Sequence, residues 1–190
     1  MANMTILGAG LAGLSTAMML RDDGHDVTVL ERDPAPPGGE PWESWQRPGV
    51  NQFRLPHFML PRWWRTLSEE LPAAASEVRA AGGSPFSLVP PPRREDDARF
   101  DTVTARRPVV EAALARAAEA CGVTLRRGVR VTGVRLESGT RVTGVTTDEG
   151  PARADLVIDC LGRRSPMPQW LAGGGGPPPP PRGGAGGGGV

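Results

Sequence analysis

Apolar residues in the first thirty positions fall into two short runs separated by a helical pattern. Residues 4–7 and 27–30 are almost wholly apolar, as buried parallel strands are. Residues 11–21 carry leucine and methionine at helical spacing and end before Gly24, a residue suited to the position after a helix. Strand, helix and strand fit one βαβ unit of about 30 residues, which predicts two parallel strands in one sheet.

Beyond this unit, the pattern predicts a long loop, three helices and further strands, two of which are joined as a hairpin. Prolines and glycines crowd residues 32–60, which favours a loop. We predict helices at residues 62–71, 73–81 and 108–120. Alternating apolar and polar residues predict strands at 123–125, 129–136 and 141–147. Ser138-Gly139 suits a hairpin turn between the last two strands, and residues 154–160 form another apolar run typical of a buried strand.

The end of the chain has a different composition. Residues 173–190 hold ten glycines and five consecutive prolines, so they cannot bury a core and are expected to be disordered. We therefore predict a folded domain at 1–171 and a low-complexity tail at 172–190. We expect that in-frame coding is lost near residues 172–176 and that the chain is a truncated gene product; a genuine flexible linker is the alternative.

Charge and cysteine content exclude several classes of function. The net charge is +1, which implies neither a nucleic-acid nor a membrane partner, and the absence of about 18 consecutive apolar residues predicts no membrane span. Cys121 and Cys160 lie far apart, so we expect neither a redox-active disulfide nor a zinc site. No spacing of acidic or histidine residues suggests a metal site, and two unpaired thiols favour a cytoplasmic location.

A glycine-rich turn joins the first predicted strand to the first predicted helix. It has the pattern G-x-G-x-x-G and consists of Gly8, Ala9, Gly10, Leu11, Ala12 and Gly13. In this pattern the first glycine makes the turn, the second lets the backbone approach a pyrophosphate, and the third lets the helix pack against the sheet. The helix N-terminus then offers free N–H groups to the phosphates. The pattern therefore predicts a dinucleotide-binding turn.

An acidic residue stands where such a site needs one. Glu31 lies at the end of the second strand, about 20 residues after the turn, where a carboxylate accepts hydrogen bonds from ribose hydroxyls. A surface pair of Glu31 with Arg32 is the alternative interpretation. The pair Glu31-Arg32 is compatible with either FAD or NAD, so later segments have to decide between them.

Three segments together resemble the FAD-dependent monooxygenase superfamily, which includes aromatic hydroxylases and geranylgeranyl-reductase-like enzymes. They are the glycine-rich turn with Glu31-Arg32, the helix start at residues 106–111, and the strand and turn at residues 156–165. The resemblance covers roughly residues 3–171. It implies that Arg107 reaches the cofactor, that the backbone of Val131 meets the adenine, and that Gly162 lies beside the pyrophosphate.

The resemblance implies a fold and a function. The expected fold is an incomplete, Rossmann-like FAD-binding parallel sheet with helices and an antiparallel β-meander. The expected function is that of an FAD-dependent oxidoreductase of the monooxygenase type, with NAD(P)H as a possible electron donor. The flavin carries the chemistry in this class, so we assign no catalytic residue.

Two features depart from the family pattern. Leu161 occupies a position where many aromatic hydroxylases have aspartate, and prolines at 166 and 168 replace an expected arginine. No Gly-Asp pair occurs in the chain, so the family's third fingerprint is missing. Two other interpretations therefore stay open, a non-catalytic nucleotide-binding fragment and an NAD-dependent dehydrogenase.

The loop at residues 42–52 is the best candidate for further contact with flavin or substrate. Trp45, Arg47 and Gln52 could stack or form hydrogen bonds there; a surface loop anchored by apolar residues is the alternative. His57 follows this loop, and we expect it to be a packed or surface residue rather than a catalyst.

Overall fold

Ten strands and six α-helices build the part of the chain that this computed structural model describes, residues 1–50 and 52–176. The strands are β1 Asn3–Leu7, β2 Asp26–Glu31, β3 Pro56–Phe58, β4 Ser84–Ser87, β5 Asp101–Arg106, β6 Thr124–Arg127, β7 Val131–Glu137, β8 Arg141–Thr147, β9 Gly150–Arg153 and β10 Leu156–Asp159. The helices are α1 Leu11–Asp22, α2 Pro41–Ser44, α3 Pro61–Glu70, α4 Pro72–Ala80, α5 Arg107–Ala120 and α6 Met167–Ala172. A 3₁₀ turn spans Glu95–Phe100.

A four-stranded parallel sheet forms the centre of the fold. Its order is β10-β1-β2-β6, and all three pairings are parallel. The parallel pairing of β1 with β2 confirms the predicted βαβ unit and the Rossmann-like α/β fold class. Gly24 ends the connecting helix with a positive φ of 85°, as its position after α1 requires.

Side chains of alternate residues in β1 and β2 enter two different cores, because successive residues of a strand point to opposite faces. Ile6 and Val29 pack in a core that helices α1, α3, α4 and α5 help to build. Their neighbours Leu7 and Leu30 pack on the other face, against the antiparallel strands β7 and β8 and Trp170 of α6. The sheet is therefore the middle of three layers, and its strand ends are framed by elements from both sides.

Two antiparallel sheets accompany the parallel one. Strands β7, β8 and β9 form an antiparallel meander, which the expected fold class included, and its predicted β7–β8 hairpin turns at Ser138 and Gly139, which have φ angles of 52° and 74°. The other sheet has the order β3-β5-β4. The predicted loop at residues 32–60 was wrong in part, since it contains α2 and β3. Strands β4, β5 and β9 were not predicted.

The first glycines of the predicted tail pack against the meander. The Gly175 N–H donates to the carbonyl of Trp170 at 2.7 Å, and the Val134 N–H donates to the carbonyl of Gly175 at 3.1 Å. Residues 177–190, the rest of that tail, lie outside the described residues. Over the described ranges, none of the helices combines the length and apolarity that a membrane crossing demands.

Candidate functional site

The glycine-rich turn stands at the carboxyl edge of the parallel sheet, between β1 and α1. Gly8 has a φ of 101°, and a Cβ there would lie 2.8 Å from the carbonyl oxygen of Cys160. A Cβ on Gly13 would lie 1.9 Å from the carbonyl oxygen of Gly8, so only glycine lets the helix approach this closely. A Cβ on Gly10 would meet nothing within 4 Å. Open space therefore lies in front of Gly10.

The N-terminus of α1 faces the same edge with its N–H groups unpaired inside the helix. The first intrahelical hydrogen bond runs from the Leu14 N–H to the carbonyl of Gly10 at 3.0 Å. The N–H groups of Leu11, Ala12 and Gly13 precede it and have no acceptor within the helix. No side chain of the described residues caps this end. The unpaired donors and the helix dipole make the turn a suitable place for a phosphate.

Glu31 is buried and engaged by its own chain. Its Oε2 accepts the N–H of Ala9 at 2.8 Å, and its Oε1 accepts the N–H of Asp33 at 2.9 Å. Arg47 forms an ion pair with Oε2 as well. Burial alone would raise the pKa of Glu31, but the Arg47 charge and the two N–H donors hold that pKa below its usual value. The carboxylate is ionised, and three donors from the protein already occupy it.

Arg47 joins the turn, the second strand and α5. Its guanidinium forms buried ion pairs with Glu31, Asp33 and Glu111, and it donates to the carbonyl of Ala9 at 3.1 Å. Burial would lower the pKa of Arg47, but the charges of Glu111 and Glu31 raise it above its usual value. We call Glu31, Asp33, Arg47 and Glu111 the arginine cluster. It fixes the loop that carries Arg47 against the glycine-rich turn.

Glu111 connects the arginine cluster to the predicted cofactor residue Arg107. Its side chain is entirely buried on α5, and its Oε1 accepts the Nε–H of Arg107 at 2.7 Å. The neighbouring Arg106 instead stacks over the ring of Trp42, 4.3 Å from the centroid. Sequence reasoning did not assign Glu111 or Asp33 to the site. The available signal was an acid, Glu111, among the valine, alanine and leucine residues of the first turns of α5.

Arg127 is the one arginine at this edge whose terminal nitrogens are buried and unpaired among the described residues. Both of its NH₂ groups are inaccessible to water and have no hydrogen-bond partner. Its guanidinium carbon lies 5.0 Å from the ring centroid of the buried Trp45. Burial and the nearby Arg47 charge lower the pKa of Arg127. In the sheet, Arg127 is the register partner of Glu31 on the adjacent strand.

The remaining residues of the predicted site occupy more exposed positions. The Arg32 side chain is exposed, Val131 is the first residue of β7 and pairs with Thr147, and Gly162 follows β10 with a φ of 81°. Asp159 shapes the turn before Gly162 by accepting the N–H of Leu161 at 2.9 Å.

The candidate loop divides into buried and exposed parts. Trp45 and Arg47 are buried, with the Trp45 indole packed edge-on against Phe53, whereas Gln52 is exposed. Asn51 lies outside the described residues. His57 lies in β3, and its Nδ1 is buried without a hydrogen-bond partner among the described residues. The loop thus places Arg47 against the glycine-rich turn and the Trp45 ring beside Arg127.

Two families match different parts of the chain. Residues 6–75 match the NAD(P)-binding Rossmann-like domain, and residues 103–172 match the tryptophan halogenase family. Among curated proteins, the NAD-dependent dihydropyrimidine dehydrogenase subunit PreT of Escherichia coli K12 is 43% identical over 60 residues, which are 32% of this chain and 13% of that protein. The D-amino acid dehydrogenase 2 of Ralstonia nicotianae is 50% identical over 36 residues, 19% of this chain and 8% of that protein.

Solved flavoproteins share the fold over most of the described residues. The flavin-dependent halogenase CmlS superposes with a TM-score of 0.66 at 22% identity, covering 90% of this chain and 31% of its own. The myxobacterial chondrochloren halogenase CndH gives 0.64 at 24% identity, covering 88% and 39%. PqsL of Pseudomonas aeruginosa, a probable FAD-dependent monooxygenase, gives 0.58 at 16% identity, covering 83% and 40%. The chain thus spans about a third to two fifths of these proteins, and they confirm the resemblance at the level of fold.

Proposed function

We propose that this chain, which has the fold found in part of FAD-dependent halogenases and monooxygenases, binds FAD at the glycine-rich turn. The whole activity proposed is that of a flavin-dependent oxidoreductase of the monooxygenase type. The observation that carries the proposal is the open space in front of Gly10 beside the unpaired N–H groups of α1. A pyrophosphate needs both close backbone approach and unpaired donors.

The residues at this edge fit an adenine dinucleotide. Gly10, Leu11, Ala12 and Gly13 would hold the pyrophosphate through backbone N–H groups and the helix dipole. Glu31 would accept from a ribose hydroxyl with the lone-pair capacity that its three protein donors leave free, since a carboxylate has about four acceptor sites. We place Arg32, Arg107, Val131 and Gly162 around the same ligand, as the family resemblance implies. When bound, FAD would supply the redox chemistry of its isoalloxazine ring.

A binding titration with a matched pair of glycine variants tests the proposal. FAD fluorescence or retained absorbance after desalting is measured for the wild type, Gly10→Val and Gly38→Val. We expect Gly10→Val to abolish FAD binding because its side chain fills the space the pyrophosphate needs. A Cβ on Gly38 would also meet nothing within 4 Å, but Gly38 lies in an exposed loop, so its variant should bind normally. A wild type that retains no flavin would overturn the proposal.

NAD(P)H is a second candidate ligand, as the bound nucleotide or as the electron donor. The match of residues 6–75 to an NAD(P)-binding domain favours it. Both nucleotides contain adenosine diphosphate, so the turn alone does not separate them. Titrating NADH and NADPH against the FAD-loaded and the free chain distinguishes the cases. Competition with FAD would indicate the same site, whereas reduction of bound flavin without competition would indicate a donor.

A cytoplasmic location belongs to the same proposal. Cys121 and Cys160 are both free thiols, which a reducing compartment preserves. Fractionation of cells that express the chain measures this directly, and recovery of the chain outside the cytoplasm would contradict it.

A further inference from the structure

The strand next to Glu31, β6, carries an arginine whose terminal N–H groups have no partner among the described residues, Arg127. Arg47 forms ion pairs with three carboxylates and donates to a backbone carbonyl, and Glu31 already accepts hydrogen bonds from three donors. Arg127, by contrast, has both terminal NH₂ groups buried and without a hydrogen-bond partner in the described part of the chain. We infer that the Arg127 side chain turns outward when the dinucleotide binds and donates these N–H groups to its adenosine half, at ribose oxygens or ring nitrogens. This inference rests on the proposed function.

The sheet register places Arg127 where that half of the ligand would lie. Glu31 and Arg127 are direct partners in the parallel pairing of β2 with β6, and neighbouring strands stand about 4.8 Å apart. With the pyrophosphate at the turn and a ribose hydroxyl at Glu31, the nucleotide runs from β1 across β2. The atoms beyond the ribose hydroxyl then approach the end of β6, where Arg127 is.

The surroundings of Arg127 leave its terminal N–H groups without an acceptor among the described residues of the ligand-free chain. The charges of Glu31, Glu111 and Glu119 attract Arg127 without accepting a hydrogen bond from its terminal nitrogens, and the first two carboxylates are already paired with Arg47. The face of Trp45 covers its guanidinium, 5.0 Å away. A buried cation without acceptors destabilises the protein. A ligand with acceptor atoms removes that penalty, which is why binding and stability should respond to Arg127 in opposite directions.

The test combines affinity and stability in one set of variants. Arg127→Leu should weaken FAD binding about 10- to 100-fold, the usual worth of hydrogen bonds from a charged donor, while the melting temperature of the ligand-free chain rises. Arg127→Lys keeps the charge but loses the planar donor fork, so it should also bind FAD more weakly. Arg126→Leu is the matched control: Arg126 is exposed on the same strand and pairs with Glu149, so FAD affinity should not change.

Adenosine monophosphate and 2′,5′-ADP then identify the acceptor. We expect the wild type to bind both comparably and Arg127→Leu to weaken both. A strong preference of the wild type for 2′,5′-ADP that Arg127→Leu removes would mean that the fork binds a second phosphate, which overturns the assignment. Unchanged FAD affinity in Arg127→Leu and Arg127→Lys also overturns it, as does a joint loss of affinity and stability, which indicates a packing role. A wild type that binds no FAD overturns the proposed function instead.

Discussion

The glycine-rich turn and the arginine cluster lie side by side, but they are built in different ways. The turn consists of six consecutive residues whose fit depends on missing side chains, with a Cβ on Gly13 excluded by the Gly8 carbonyl oxygen at 1.9 Å. The arginine cluster consists of long charged side chains, and Arg47 reaches Glu31 across 16 residues and Glu111 across 64 residues of sequence. The two regions meet at Ala9, which donates to Glu31 and accepts from Arg47.

The glycine-rich turn therefore depends on steric fit, whereas the neighbouring arginine cluster depends on charge. Backbone proximity maintains the turn, so steric changes should damage it. The arginine cluster is stable because its positive and negative charges neutralise one another. Removing one of these charges should therefore destabilise the fold more than shortening a side chain that keeps its charge. A buried ion pair is strongly destabilised when one partner is removed, because the other charge stays buried.

The largest effect is expected from Arg47→Ala. It leaves three buried carboxylates without their common cation, and we expect the free energy of unfolding to fall by about 4 kcal/mol. Urea denaturation followed by circular dichroism measures this change. Arg32→Ala is the control, because Arg32 is exposed and adjacent to Glu31, and it should unfold like the wild type. A loss below about 1 kcal/mol for Arg47→Ala would place the cluster among solvated surface pairs.

A smaller loss is expected when the turn is crowded by one methyl group. Gly13→Ala directs its Cβ into the carbonyl oxygen of Gly8, and α1 must move away from β1, so we expect a loss of about 3 kcal/mol. Gly10→Ala has open space and should keep its stability apart from the helix-end preference of glycine. Equal melting temperatures of the two variants would show that the helix can shift without penalty, contrary to this expectation.

The smallest effect concerns pH. Because the pKa of Glu31 is lowered in the folded chain, its contribution to stability is present above its ordinary value of 4.5 and is lost as the pH falls through the lowered native value. Urea midpoints measured from about pH 6 to about pH 3 should therefore fall more steeply for the wild type than for Glu31→Gln. Parallel profiles would mean that Glu31 has the same pKa in the folded and unfolded chain.

Local signals predicted the centre of the fold well. Residues 4–7 and 27–30 marked β1 and β2 because both strands are buried on both faces and lack polar alternation. Two of the missed strands, β4 and β9, carry proline or glycine and are stabilised by their partners rather than by their own sequence. Strand β9 contains Gly150 and Pro151, which disfavour strands, and within the described residues it is an edge strand that pairs with β8 alone.

The site was likewise predictable where its residues form a local sequence pattern. The pattern G-x-G-x-x-G identified the turn, and the position of Glu31 after β2 identified the acid. Neither Glu111 nor the unpaired fork of Arg127 could be read from the sequence, because their roles depend on which strand lies beside β2 and on which face of α5 is buried. Such contacts exist only after the tertiary fold has formed.

The pairing of β1 with β10 means that the two edges of β1 are completed at different times during synthesis. Met4 is the register partner of Leu156, so β1 is synthesised about 150 residues before the strand that pairs with its second edge. Since synthesis adds about 5–20 residues per second, one edge of β1 stays unpaired for roughly 8–30 s. During that interval the nascent chain exposes an apolar strand edge to which other chains can add. We therefore expect chaperone binding to the nascent chain until residue 159 has emerged.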